Sequence, residues 1–316
     1  MSRVLLLAIL VSIGASACER TASPSTQEGP GATRFEELRI TTPDSIELYV
    51  RVVGTGPDTV IVGLAAWLAR DLTPLAAGRT LIFYDPRSRG GSDAVLDPGR
   101  LGIDLEVEDI EAVRAHFGIG QVSLIGWSYL GAVVALYAAR YPDFVRSVVQ
   151  VGPMSPRRPS SRVSEIRGSP PSAADRDYLA SLGASGLPES DPVAYCREVV
   201  LRQMLRPMLG RPEAAADALS DPCMYWNEWP AQLFATVPKV IPQEDWDYSG
   251  EAAAVRAPVL TVHGTNDPNA PIEGGREWVS LLPNARLIEL EGVGHGPWLE
   301  APSEFFEVIG SFLRAH

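Results

Sequence analysis

Apolar residues along this chain keep two rhythms. Phe35 to Ile40 and Ile46 to Val53 alternate with polar neighbours, which predicts two strands around a turn at Pro43-Asp44. Thr59 to Val62, Thr80 to Tyr84, Val122 to Ile125 and Val145 to Val151 are short, largely apolar runs expected to be buried strands, and two more strands are expected at Val259 to His263 and Arg286 to Leu290. Between them the spacing turns helical. Ile103, Val107, Ile110, Val113 and Phe117 predict a helix ending at Gly118, and Leu130, Val133, Val134, Tyr137 and Tyr141 predict another. Ile272 to Leu282 reads as a helix, and Phe305, Phe306, Ile309, Phe312 and Leu313 line one side of a closing helix. Strands alternating with helices imply an α/β fold: a mainly parallel central sheet with helices on both faces.

The alternation dissolves after Gly152. From Ser155 to Gly250 the chain is rich in Pro, Arg and Trp and offers no convincing strand, while Tyr195 to Leu209 and Pro212 to Leu219 look helical. A stretch this long does not stay structureless inside a compact domain. Residues 155–250 are therefore expected to form an inserted, mostly helical lid, leaving 35–154 and 251–316 as the core.

With 316 residues, 46% of them hydrophobic, the chain can bury one large core or a core plus a smaller domain. A net charge of -12 and the lack of any Lys/Arg run argue against nucleic acid as a partner. At the N-terminus Arg3 precedes the apolar run Val4 to Ile13, then Gly14-Ala15-Ser16-Ala17 and Cys18. A membrane-crossing helix needs about 20 apolar residues, so residues 1–17 read as a signal peptide and 18–34, rich in Ser, Thr, Pro and Gly, as a flexible tether. Ala15-Ser16-Ala17-Cys18 resembles a bacterial lipoprotein box. That resemblance implies lipidation of Cys18, with Glu19 favouring the outer membrane; an ordinary signal with an incidental cysteine is the alternative. Either way the chain is expected outside the cytoplasm, periplasmic or held at the outer membrane by its lipid, and in contact with a membrane through that anchor alone. Export permits disulfides. With Cys18 set aside, Cys196 and Cys223 are expected to bond each other.

One stretch adds chemistry to this outline. Between the strand at Val122 to Ile125 and the helical spacing from Leu130 there is room for only a very sharp turn, Gly126-Trp127-Ser128. Such a turn strains the serine and holds its hydroxyl where a base can reach it. It also sets the first free amides of the helix beside that hydroxyl, ready to stabilise an oxyanion. Gly-x-Ser recurs at Gly14, Gly90 and Gly183, but only at Gly126 does a strand run in and a helix run out.

In parallel sheets chemistry gathers at the carboxyl ends of strands. Asp267 follows one strand and His295 the last, so Ser128, Asp267 and His295 can converge on one edge. Neutral His295 can take the serine proton and then protonate the leaving group, while Asp267 would fix the imidazole tautomer and stabilise the imidazolium. Asp267 before Pro268 could instead be a plain turn former, and His295 between glycines an exposed loop residue. His263 is a rival base, but at a strand end before Gly264 it is expected to pack. No cofactor is expected: no His/Cys/Glu cluster has metal-ligand spacing and no glycine loop cradles a phosphate.

These stretches resemble the α/β-hydrolase superfamily, nearest to its proline iminopeptidase-like branch, from roughly Arg34 to the C-terminus. The matching residues are Tyr84-Asp85-Pro86-Arg87-Ser88-Arg89-Gly90-Gly91-Ser92, Gly126-Trp127-Ser128-Tyr129, His263-Gly264-Thr265-Asn266-Asp267-Pro268, and Gly294-His295 with Glu300-Ala301-Pro302. The order Ser, Asp, His is also the family's. The resemblance implies the α/β-hydrolase fold with its inserted helical lid, and a serine hydrolase cutting an ester or amide through an acyl-Ser128 intermediate.

Two departures stand out. Where family members have glycine two residues after the serine, this chain has Leu130, and Gly131 follows; a leucine there is expected to open the turn slightly. Val62-Gly63-Leu64-Ala65 stands in place of the usual His-Gly-Gly-Pro. Backbone amides suffice for an oxyanion hole, so Leu64 and Tyr129 are the expected donors. In the lid, Glu228 between Trp226-Asn227 and Trp229-Pro230 could bind a substrate ammonium, as lid glutamates do in the aminopeptidases this chain resembles, or be a solvated glutamate beside packed tryptophans. The expected substrate is then a short peptide, for an aminopeptidase of proline iminopeptidase type, or a small-molecule ester, for a carboxylesterase. A non-catalytic ligand-binding protein on the same scaffold is the third reading, kept open by Leu130.

Overall fold

The computed structural model describes residues 35–157, 172–219 and 246–316. The expected signal peptide and tether, Cys18, Cys223 and Glu228 lie outside the described residues.

Phe35–Thr41 (β1) and Glu47–Val53 (β2) form the expected antiparallel hairpin, with Thr41 opposite Glu47. β2 pairs antiparallel with Arg79–Tyr84 (β4). Every later pairing is parallel, through Asp58–Gly63 (β3), Val122–Trp127 (β5), Val145–Val151 (β6), Val259–Gly264 (β7) and Ala285–Leu290 (β8). The strand order is β1-β2-β4-β3-β5-β6-β7-β8. β3 therefore leads toward one edge and its neighbour β5 toward the other, so the crevice outside their carboxyl ends is a topological switch point. β5 and β7 are buried along their whole length, as strands covered on both faces must be.

Helices Ala65–Leu72 (α1), Ile103–His116 (α2) and Tyr129–Arg140 (α3) follow β3, β4 and β5. α3 is buried continuously from Tyr129 to Ala138, which fits its nearly unbroken apolar sequence and its place behind the central strands. Between β6 and β7 the chain forms Ala173–Ala184 (α4), Leu187–Ser190 (α5), Pro192–Val200 (α6), a π-helical turn Leu201–Leu205, Pro212–Ala218 (α7) and Ser249–Ala254 (α8). Where one helix was expected over Tyr195 to Leu209, α6 starts earlier. Pro192 fits the first helical position, and the Asp191 carboxylate accepts the Ala194 amide at 3.0 Å to cap it.

The insertion leaves and re-enters the core at one place. Arg157 bridges to Asp247, and the Tyr248 amide donates to the Pro156 carbonyl at 2.9 Å. Ile272–Leu281 (α9), Pro297–Glu300 (α10) and Pro302–Ala315 (α11) complete the fold.

Candidate active site

β5 ends at Trp127 and α3 begins at Tyr129, so Ser128 carries the whole turn, at φ 60° and ψ -129°. A side chain held there is strained and persists only if its surroundings fix it. Backbone bonds do so: the Ser128 amide donates to Val151 at 2.9 Å, and the Ser128 carbonyl accepts from Gly131 at 2.9 Å and Met154 at 3.0 Å. A β-carbon at Gly126 would lie 2.2 Å from the Leu130 carbonyl oxygen, so strand and helix meet backbone to backbone. Leu130 does not open this turn, contrary to expectation. Its buried side chain turns toward β3, where a β-carbon at Gly63 would sit 2.6 Å from Leu130 Cδ1. The missing side chain on β3 supplies the room.

Leu64, just before α1, is left-handed at φ 65° and ψ 59°. Tyr129 opens α3, so its amide hydrogen has no acceptor within the helix. Both segments are tied from behind. The buried Asp85 carboxylate accepts the Ala66 and Gly91 amides, each at 2.9 Å, joining the loops after β3 and β4. Burial pushes the Asp85 pKa up to about 6 against those two amides. A β-carbon at Gly90 would lie 2.1 Å from Asp85 Oδ2, which explains the glycine in this loop. The Tyr129 phenol donates to Glu106 on α2, and Arg89 pairs with the other Glu106 oxygen while stacking 5.2 Å from the Tyr129 ring centroid. The side chain of the residue after Ser128 is thus fixed.

His295 and Asp267 meet directly. Nδ1 of His295 lies 2.6 Å from Asp267 Oδ2, and both side chains are buried. The other carboxylate oxygen accepts the Asn269 and Ala270 amides, each at 2.8 Å. Burial alone would raise the Asp267 pKa, but the charge of His295 and hydrogen bonding to both His263 and His295 hold it well below the usual carboxylate range. A carboxylate facing Nδ1 keeps the proton there and leaves Nε2 as the basic nitrogen. The His295 backbone is gripped as well: its carbonyl accepts Trp127 Nε1–H at 2.8 Å, and its amide donates to the Met208 carbonyl of the insertion at 2.8 Å.

Trp127, the residue before Ser128, therefore ties the histidine loop to the turn, its ring 5.0 Å from the imidazole. The end of β6 closes the triangle. Val151 accepts from Ser128, and the next residue, Gly152, has φ 48°; a β-carbon there would lie 3.0 Å from Asp267 Oδ2 and 3.2 Å from His295 Nδ1. Among the described residues no hydrogen bond joins the Ser128 hydroxyl to the His295 ring; such bonds commonly tighten only when substrate arrives. His263 is packed, as expected. Its Nε2 lies 2.7 Å from the Ala270 carbonyl and 3.5 Å from Asp267 Oδ2, so it backs the carboxylate from behind.

Sequence reasoning passed over Gly152, Met208 and the bonds made by Asp85. A glycine immediately after a strand that ends beside the turn at Ser128 was the available signal for Gly152; nothing local marks Met208, which acts through its backbone. Cys196 lies on α6 and its expected partner outside the described residues. Among the described residues no group of His, Cys, Asp and Glu side chains is placed to hold a metal ion.

A proline iminopeptidase of Heyndrickxia coagulans is 23% identical over 258 residues, covering 80% of this chain and 88% of that protein. A pimeloyl-[acyl-carrier protein] methyl ester esterase of Chromobacterium violaceum is 28% identical over 277 residues, covering 85% and 99%. The crystal structure of a proline iminopeptidase of Mycobacterium smegmatis shares the fold, with a TM-score of 0.64 at 24% identity over 89% of this chain and 98% of that one. Residues 60–308 match the model of the alpha/beta hydrolase family, well over half of the chain, and with this sheet beneath this turn the protein belongs to that family, as a hydrolase of esterase or peptidase type.

Proposed function

We propose that the protein is a serine hydrolase that cleaves an ester or amide bond through an acyl-Ser128 intermediate. The observation that carries this reading is the buried 2.6 Å contact between His295 and Asp267 against Gly152, whose neighbour Val151 accepts the amide of the strained Ser128. His295 Nε2 takes the Ser128 proton as Oγ attacks the substrate carbonyl. The carbonyl oxygen becomes an oxyanion held by the Leu64 and Tyr129 amides. The imidazolium, steadied by an Asp267 that stays ionised, returns the proton to the leaving alcohol or amine. Water then attacks the acyl-enzyme by the same route, with His295 again as base.

An aminopeptidase of proline iminopeptidase type is the first specific version, supported by the similarity to such enzymes, with Glu228 as the group for a substrate ammonium. A small-molecule carboxylesterase is the second, supported by the similarity to a methyl ester esterase. The helical insertion acts as the lid over this substrate. Export, a lipid on Cys18 and a Cys196–Cys223 disulfide complete the proposal. Turnover of aminoacyl arylamides against short-chain p-nitrophenyl esters separates the two versions. Ser128→Ala should lower either rate by about 10⁴-fold or more and abolish fluorophosphonate labelling, with folding intact; a variant that keeps its rate overturns the assignment.

A further inference from the structure

Glu300 closes α10 and plays no part in the chemistry above, yet its half-buried carboxylate joins two distant parts of the chain. One oxygen accepts the Gly294 amide at 2.8 Å, next to His295; the other accepts the Arg211 amide of the insertion at 2.8 Å. Around this pair of bonds the insertion lies against the histidine loop without side chains between them. A β-carbon at Gly294 would be 2.4 Å from the Gly210 amide nitrogen, and one at Gly210 would be 2.5 Å from the Gly292 carbonyl oxygen. The Arg211 guanidinium donates to the Glu291 carbonyl at 2.7 Å, and Met208 accepts the His295 amide at 2.8 Å.

We propose that Glu300 is a positioning residue for His295, clamping insertion residues 208–211 onto the histidine loop so that seating the insertion and aiming the imidazole are one event. The proposal rests on the reading of His295 as the base. Its logic is one of donors and acceptors. The Gly294 and Arg211 amides face the two oxygens and the Gly210 amide also bonds the carboxylate, so the position requires a side chain with two acceptors and no donor, which an ionised carboxylate is and a carboxamide is not. The insertion's last described turns before this point, through Met208, supply the carbonyl that fixes the His295 backbone.

Glu300→Gln tests this. It keeps the shape but turns an N–H₂ toward one of the two amides. A misplacement of 1 Å at a reacting group costs about 10²-fold in rate, so a partial release should lower kcat about tenfold while KM for a small ester stays within about twofold. Hydrogen exchange without substrate should show the Gly294 and Arg211 amides exchanging at least about tenfold faster. Unchanged kcat, a change in KM alone, or unaltered exchange at both amides would overturn the proposal. If the Gln variant does not fold, Glu300→Asp, one methylene shorter and able to reach one amide only, is judged on the same two measurements. Exchange needs no turnover, so it decides the clamp even if Ser128→Ala were to disprove the hydrolase reading.

Discussion

Replacing Gly152 by alanine places a methyl group against the histidine–aspartate pair. The backbone there sits at φ 48°, where a side chain costs about 1–2 kcal/mol. The new carbon would lie 3.0 Å from Asp267 Oδ2, 3.2 Å from His295 Nδ1 and 3.5 Å from His295 Cε1, on either side of a 2.6 Å hydrogen bond. Ordinary carbon contacts are about 3.5–4.0 Å, so the pair must yield by a few tenths of an ångström. Displacements on that scale at a base cost about tenfold to 10²-fold in kcat. The loss of stability should be about 1–2 kcal/mol, or a Tm lower by roughly 2–4 °C per kcal/mol for a domain of this size. Gly118→Ala separates strain from intrusion: Gly118 has φ 63° but nothing within 4 Å of a new β-carbon. Steady-state ester hydrolysis and thermal unfolding of both variants make the comparison. Destabilisation at both positions, the larger at 152, with a rate lost only there, is expected. A Gly152→Ala enzyme whose kcat stays within twofold of wild type would refute the placement of the pair against the end of β6.

Gly63→Ala should destabilise the protein by about 1–3 kcal/mol through overpacking against Leu130, and by much less when Leu130→Ala is also present; a double-mutant cycle in urea reads the coupling, and strict additivity would contradict the packing. Asp85 has its pKa raised by burial to about 6 from 3.8, so the folded state binds its proton more tightly than the unfolded chain. Its contribution is therefore fully present below about pH 4 and lost as pH rises through about 6, roughly 3 kcal/mol in all. Urea unfolding of wild type and Asp85→Asn between pH 4 and 7 should show the variant gaining on wild type by up to that amount, and parallel curves would remove the claim. Alkylation without reductant should leave Cys196 and Cys223 unlabelled, and two labelled thiols would exclude their bond. Mass spectrometry of the mature N-terminus should find a lipidated Cys18, and an unmodified residue there would end the anchor.

The sheet was legible because the buried strands carry short, largely apolar runs, as Val122–Trp127 and Val259–Gly264 do. Ser128, Asp267 and His295 could be picked out because each lies within a few residues of a strand's carboxyl end. α1 escaped notice because its eight residues come straight after β3, where Leu64 and Ala65 were read only as the stand-in for a glycine-rich turn. α4 escaped for a different reason. A single buried residue, Leu179, gives it no apolar stripe to detect. The outcome at Leu130 turned on Gly63, a residue more than sixty positions away, and a turn's own sequence carries no information about such a neighbour. Glu300 stood inside a matching motif, yet its two acceptors become meaningful only once Gly294 and Arg211 are seen to flank it.

The bridge between Arg157 and Asp247 makes the intervening block exchangeable. Entry and exit are neighbours, so a longer or shorter block can be spliced in without shifting β6 or β7, and added length between fixed ends raises the entropy of closure only slowly. What a newcomer must reproduce is small: one carbonyl for the His295 amide and the backbone amides that bond Glu300. The block can thus change between those two neighbouring points while the contacts that hold the histidine loop stay the same.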